Sequence, residues 1–260
     1  MTFTGKTTSR LALPAWILAV ALIAQAASAH DIWVTTAKRD GQMVAHINYG
    51  DSDLKELVDP KRIVDLKLVS PSGSTDLRLP LSPTKINDTP VFETKTFAAA
   101  PGGVIVVSLD NGFWLTQPGD KKETNTSLLM SPKGLGAHLT VKYGKQLLGP
   151  GSFGQIAGAR GEFIVLKDPY TLAPGEKLPV RVVIDGKPIA GTRVRYSDGI
   201  ELIHPEKVPF VKTNDDGVAE IPLARKGPYM IATDPNVDPM HPELAEVDHV
   251  YVALSFDLSQ

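Results

Sequence analysis

From residue 30 onward the sequence is broken by turn clusters at short, near-regular intervals, and the runs between them are rich in β-branched residues. No other feature limits the fold as much. Pro71-Ser72-Gly73, Pro101-Gly102-Gly103, Asp185-Gly186-Lys187-Pro188 and Asn214-Asp215-Asp216-Gly217 carry residues that tight turns require. Runs such as Leu178 to Ile184 and Val250 to Phe256 lie between such clusters, too short for ordinary helices and spaced as in sandwich folds. Gly and Pro supply 43 of the 260 residues, above the average combined usage of about 12 %. The recurring Val and Ile runs nevertheless point to many short strands and away from disorder. The expected class is all-β: two immunoglobulin-like β-sandwich domains.

The first domain, 30–155, opens with a hairpin. Asp31 to Thr36 and Met43 to Tyr49 read as strands joined across Arg39-Asp40-Gly41-Gln42. Further strands are expected at Arg62 to Val69, Val91 to Phe97 and Val104 to Leu109, and one helix at Leu139 to Leu148, despite Gly144 inside it. Gly149-Pro150-Gly151-Ser152 marks the linker. The second domain, 160–260, reads as strand after strand to the closing run Val250 to Phe256.

Residues 1–29 have the form of a secretory signal. Lys6 and Arg10 precede an apolar stretch from Leu11 to Ala24, and Ala27-Ser28-Ala29 is the small-x-small pattern of a cleavage site. The apolar stretch is short for a membrane span, which needs about 20 residues. The expected product is a periplasmic protein without membrane insertion after cleavage. Its charge is net −4, with 25 basic and 29 acidic residues and no basic block, which argues against nucleic acid as a partner.

Cleavage after Ala29 would leave His30 as the first residue. Its α-amine and ring Nδ1 can then close a chelate on one metal ion, and the amine deprotonates far more readily than an amide. There is no cysteine, so disulfides and thiolate ligands are excluded. Imidazole, carboxylate and amine remain, a set suited to Ni, Co, Cu or Zn. A hairpin centred on Asp40-Gly41 places position 51 opposite position 30, which brings Asp51 across the ladder from His30. Asp51 is equally a member of a polar loop with Ser52 and Asp53. A second candidate set lies in Asp234 to His249, which holds His241, His249, Met240 and five carboxylates between two strands. His46, His138 and His204 read as surface or structurally satisfied residues. No nucleophile elbow, Walker loop, dinucleotide fingerprint or His-Glu-x-x-His is present, so enzyme templates fail.

Three stretches together resemble a known family. They are His30-Asp31-Ile32-Trp33, the run from Gly161 to Gly191, and Asp248 to Phe256. The chain is similar to exported β-sandwich proteins described as periplasmic components of nickel or cobalt uptake, a family otherwise of unknown function. Gly186 to Tyr229 also looks like a carboxypeptidase-regulatory module, a scaffold that carries no chemistry of its own. The resemblance implies capture or delivery of a transition metal, with a membrane metal transporter as the partner. Members usually carry Gly-His after the second strand, where this chain has Gly50-Asp51, a harder ligand that weakens the case for a soft copper site. Two other readings stand beside metal binding: a copper oxygenase built on the terminal His, and a structural or glycan-facing module without metal.

Overall fold

The computed structural model describes residues 30–50, 55–197 and 208–259. The fold is all-β. Among the described residues the strands form three sheets, and helix is limited to the 3-10 turns Pro60–Arg62 and Pro169–Thr171. Among the described residues no helix is long and apolar enough to cross a membrane.

The first sheet is built on the opening hairpin. Asp31–Arg39 pairs antiparallel with Gln42–Gly50, from Asp31 opposite Gly50 to Arg39 opposite Gln42. Asp40 and Gly41 take φ of 51° and 79°, the left-handed pair that a two-residue hairpin turn needs to match strand twist. Thr89–Glu93 and Ser82–Ile86 complete this sheet.

The central sheet has ten strands. Across it run Phe210–Lys212, Arg193–Ser197, Pro228–Thr233, Val247–Asp257, Leu135–Leu147, Val104–Thr116, Ile63–Ser70 and Gly73–Asp76. Short strands at Asn236–Val237 and Glu123–Asn125 pair with Val247–Asp257 and Val104–Thr116. The two halves of the chain meet in this sheet, through parallel pairing of Val247 to Ser255 with His138 to Gln146. A parallel pair requires a crossover, and the intervening chain supplies one that includes the third sheet. That sheet is Gly161–Val165, Lys177–Ile184, Lys187–Pro188 and Val218–Pro222.

Alternation along Val104–Thr116 makes the layering plain. Val104 and Val106 point into a core shared with Phe163, Val180, Ile221 and Val252, whereas Ile105, Val107 and Leu109 point into a core shared with Ile32, Val34, Ile47 and Phe92. The hairpin sheet therefore packs on one face of the central sheet and the third sheet on the other. Both faces of a central strand must then be apolar, which explains the unbroken Val-Ile-Val-Val sequence.

The helix expected at Leu139 to Leu148 is a strand, Leu135–Leu147. The residues alternate: Leu139, Val141 and Leu147 face the third sheet's core, and His138, Thr140 and Lys142 occupy the intervening positions. Tertiary pairing on both edges overrides the local helix pattern. Gly144 has a packing reason. A Cβ there would lie 2.9 Å from the Ile32 carbonyl oxygen and 3.2 Å from Trp33 Cα, so the first strand crosses the central sheet over a residue without a side chain.

Candidate functional site

The stretch from His30 to Val34 is held on both sides. Ile32 and Val34 enter the core beneath the hairpin, while Trp33 packs with Met230, Ala232 and Ala253 on the central sheet. Removing these apolar side chains from water contributes roughly 1.5–3 kcal/mol each. The order Ile-Trp-Val thus fixes where the two residues before it must lie.

Asp31 is 5 % exposed and opens onto a buried set of charges. Arg195 Nη2 stands 3.6 Å from Asp31 Oδ1 and 3.8 Å from Asp234 Oδ2. Lys142, 3 % exposed, donates from Nζ to the His30 carbonyl oxygen at 2.6 Å and lies 3.6 Å above the Tyr251 ring. Burial pushes the Lys142 ammonium down to about 8, and Asp31 and Asp234 oppose that shift. Burial also raises the Tyr251 hydroxyl to about 12, with Asp234 and Asp31 adding to it. Asp31, Lys142 and Arg195 are buried, and Asp234, whose side chain is 40 % exposed, faces them from the rim. None of these partners of the first strand is visible in the sequence, because each comes from a different sheet position.

His30 sits at the rim of this set, its side chain 14 % exposed. Nδ1 lies 3.5 Å from Glu56 Oε1, and the ring meets Tyr49 edge-on at 5.3 Å between centroids. Glu56 arrives because the chain turns back after the second strand: Gly50 bridges Lys55, and the Glu56 amide donates to the Tyr49 carbonyl. The pairing of the two strands is described as far as Asp31 opposite Gly50. Asp51, like His204, lies outside the described residues. Among the described residues no three His, Asp or Glu side chains already converge to hold a metal ion.

The second candidate set is arranged differently from its expectation. His249 is not in a loop but in the closing strand, and its ring stacks on His138 at 4.1 Å and 18° between planes. His138 Nδ1 faces the Gly136 carbonyl at 3.0 Å and Glu123 at 3.9 Å. Burial and the neighbouring His138 push the His249 imidazole down to about 4, so it stays neutral at ordinary pH. His241 remains on the loop, exposed, with Nδ1 3.5 Å from Glu243. The structure brings His249 to His138 and not to His241; the neighbouring Met240 amide donates to Asp248, which Arg160 pairs at 2.7 Å. The partner of His249 is a histidine that the sequence reads only as a surface or structurally satisfied residue. The parallel pairing that unites them has no local signature.

His46 is engaged elsewhere. Its Nε2 meets Glu93 at 3.1 Å, and Glu93 accepts two 2.7 Å bonds from Arg39. The Arg39 bonds hold the Glu93 carboxyl below its usual range.

A family model described as Domain of unknown function (DUF4198) matches residues 27–234, most of the chain. No curated protein matches.

Proposed function

The chain belongs to this family of unknown function, and from that premise and the site above we propose that it is an exported periplasmic metal-binding protein. It captures or delivers Ni, Co or Cu for uptake, with a membrane metal transporter as recipient. The metal is cargo, anchored at His30 once Ala29 has been removed. The observation that carries this reading is the approach of His30 Nδ1 to Glu56 Oε1, 3.5 Å, at the open end of the hairpin. Two groups that ligate one ion lie about this far apart or slightly closer, given metal–ligand distances near 2.0–2.2 Å. The terminal amine would add a second nitrogen in chelate with Nδ1, and a mixed nitrogen and carboxylate set suits borderline divalent metals.

Lys142 gives the site its rigidity. Its bond to the His30 carbonyl and the packing of Ile32 and Trp33 hold the terminal residue in place before metal arrives, which lowers the ordering cost of binding.

The test uses exported protein whose first residue is established by intact mass. After dialysis against Ni, Co and Cu separately, elemental analysis should return about one equivalent of a bound metal, from one chelate site. His30→Ala should abolish it, and Glu56→Gln should weaken it at least tenfold, about 1.4 kcal/mol. Metal retained in full by His30→Ala would overturn the reading. Oxygen consumption with copper and a reductant would instead favour the oxygenase reading.

A further inference from the structure

The third sheet turns one face to the core and the other outward, and the outward face is not an ordinary solvent face. Antiparallel sheets with one wet side alternate apolar-in and polar-out. Here the outward positions carry Ile164, Leu166, Pro179 and Val183, with Leu166 39 % exposed. Over them folds the segment around Ile156, whose side chain is 59 % exposed. Between that segment and the sheet lies a groove of about 400 Å³, lined by Ile156, Ile164, Val183, Pro188, Glu162 and Arg181 among others.

The wall is fixed. Glu162 Oε1 accepts from Lys145 Nζ at 2.6 Å and from the Ala157 amide at 2.8 Å, and its Oε2 accepts from the Gly158 amide at 3.0 Å. Lys145 also donates to the Gln155 carbonyl at 2.6 Å. The one carboxylate of the groove is thus fully engaged, and its charge is matched by a buried ammonium. Arg160 turns away, to Asp185 and Asp248.

Arg181 is different. It faces Ile164 across the strand pair, makes no ion pair among the described residues, and its Nε is shut off from water with no hydrogen-bond partner. Arg181 lines the groove and is its one cation without an acidic partner among the described residues, so an anion entering the groove would meet an uncompensated charge.

We propose that this groove binds a small organic carboxylate with an apolar body, its carboxylate on the Arg181 guanidinium and its tail along Ile156, Ile164 and Val183. The planar fork of arginine fits a carboxylate with two parallel bonds. The volume falls within the range of small-molecule sites, roughly 300–1,000 Å³. The lining residues include no His or Cys to favour a transition metal, and a single matching cation is too few for a polyanion. This site is separate from His30 and stands or falls independently of the metal reading.

The experiment titrates the full mature chain with octanoate and follows the methyl resonances of Ile156, Ile164 and Val183. Saturable shifts at those methyls are expected at millimolar octanoate. Acetate, which lacks the tail, and 1-octanol, which lacks the charge, should each bind at least tenfold more weakly. Arg181→Gln should lose at least tenfold in affinity, and Arg181→Lys should retain part of it. Ile156 is on an exposed segment, so Ile156→Glu should keep the fold and abolish binding, because a carboxylate of the chain in the groove repels octanoate and competes for the Arg181 guanidinium. Unsaturable shifts, equal affinity for 1-octanol, or octanoate binding unchanged in Arg181→Gln with its melting temperature preserved would each overturn the proposal.

Discussion

His249 sits where a proton is unwelcome. Partial burial, and after it the stacked His138 ring, bring its imidazole to about 4, against an ordinary value of about 6.5. Between those values the unfolded chain binds the proton and the folded chain does not. The contribution of this group to stability is therefore complete above about pH 6.5 and is lost as the pH falls through about 4. Replacing His249 by Phe keeps the stack and removes the titration, so denaturant unfolding followed from pH 7 to 4 should show a shallower loss of stability than in the parent. An unchanged slope would mean that other groups carry the acid sensitivity. At this scale the sequence was partly legible. The pairing of the first two strands follows from the centre of one two-residue turn, which Asp40-Gly41 announces. Glu56 does not, because its approach depends on how the chain folds back after Gly50, and Asp-Ser-Asp-Leu encodes no turn that can be read alone. His138 was hidden for a different reason: its partner is 111 positions away along the sequence.

Two elements carry the arrangement around the site. The first strand crosses Leu135–Leu147 at Gly144, where there is no room for a side chain. Gly144→Val should force the hairpin outward, with a loss of roughly 1–3 kcal/mol, as overpacking usually costs. Limited proteolysis near the first strand should accelerate with it. The second element is the loop before Gly161, pinned by Lys145 and Glu162, both nearly inaccessible. Glu162→Leu strands a buried ammonium and should destabilise by about 3–5 kcal/mol, whereas Lys145→Met with Glu162→Leu should recover most of it. Thermal unfolding of the single and double variants checks this; a double variant as unstable as the single would show that the loop depends on the charges themselves. The same strand that holds Gly144 and Lys145 is the one whose sequence suggested a helix. Its alternation was present, but Leu, Lys, Gln and Leu at its end favour helix locally, and only pairing on both edges decides the matter.

At the scale of the whole molecule the central sheet joins residues from both sides of 155–160. Val247–Asp257 lies between Pro228–Thr233 and Leu135–Leu147, so residues 160–260 alone would expose it as a long apolar edge. Tryptophan fluorescence and far-UV circular dichroism of the full chain should report coincident unfolding transitions. Separated transitions would show that the halves are independent in energy even though they share a sheet. The all-β class was legible because turn clusters and β-branched runs are local signals. The layering was not, since it depends on one strand burying both faces. That same layering delivers Asp31, Lys142, Arg195 and Asp234 to the end of the first strand and leaves His30 at the rim. The most direct test inserts one Gly between Ala29 and His30 with cleavage kept after Ala29. The ring, Glu56 and the strand register stay as they are, and only the amine moves. Ni or Cu affinity should fall at least tenfold, about 1.4 kcal/mol, with a changed ligand-field spectrum. A Gly-extended protein that binds as tightly as the parent, with the same spectrum, would contradict it.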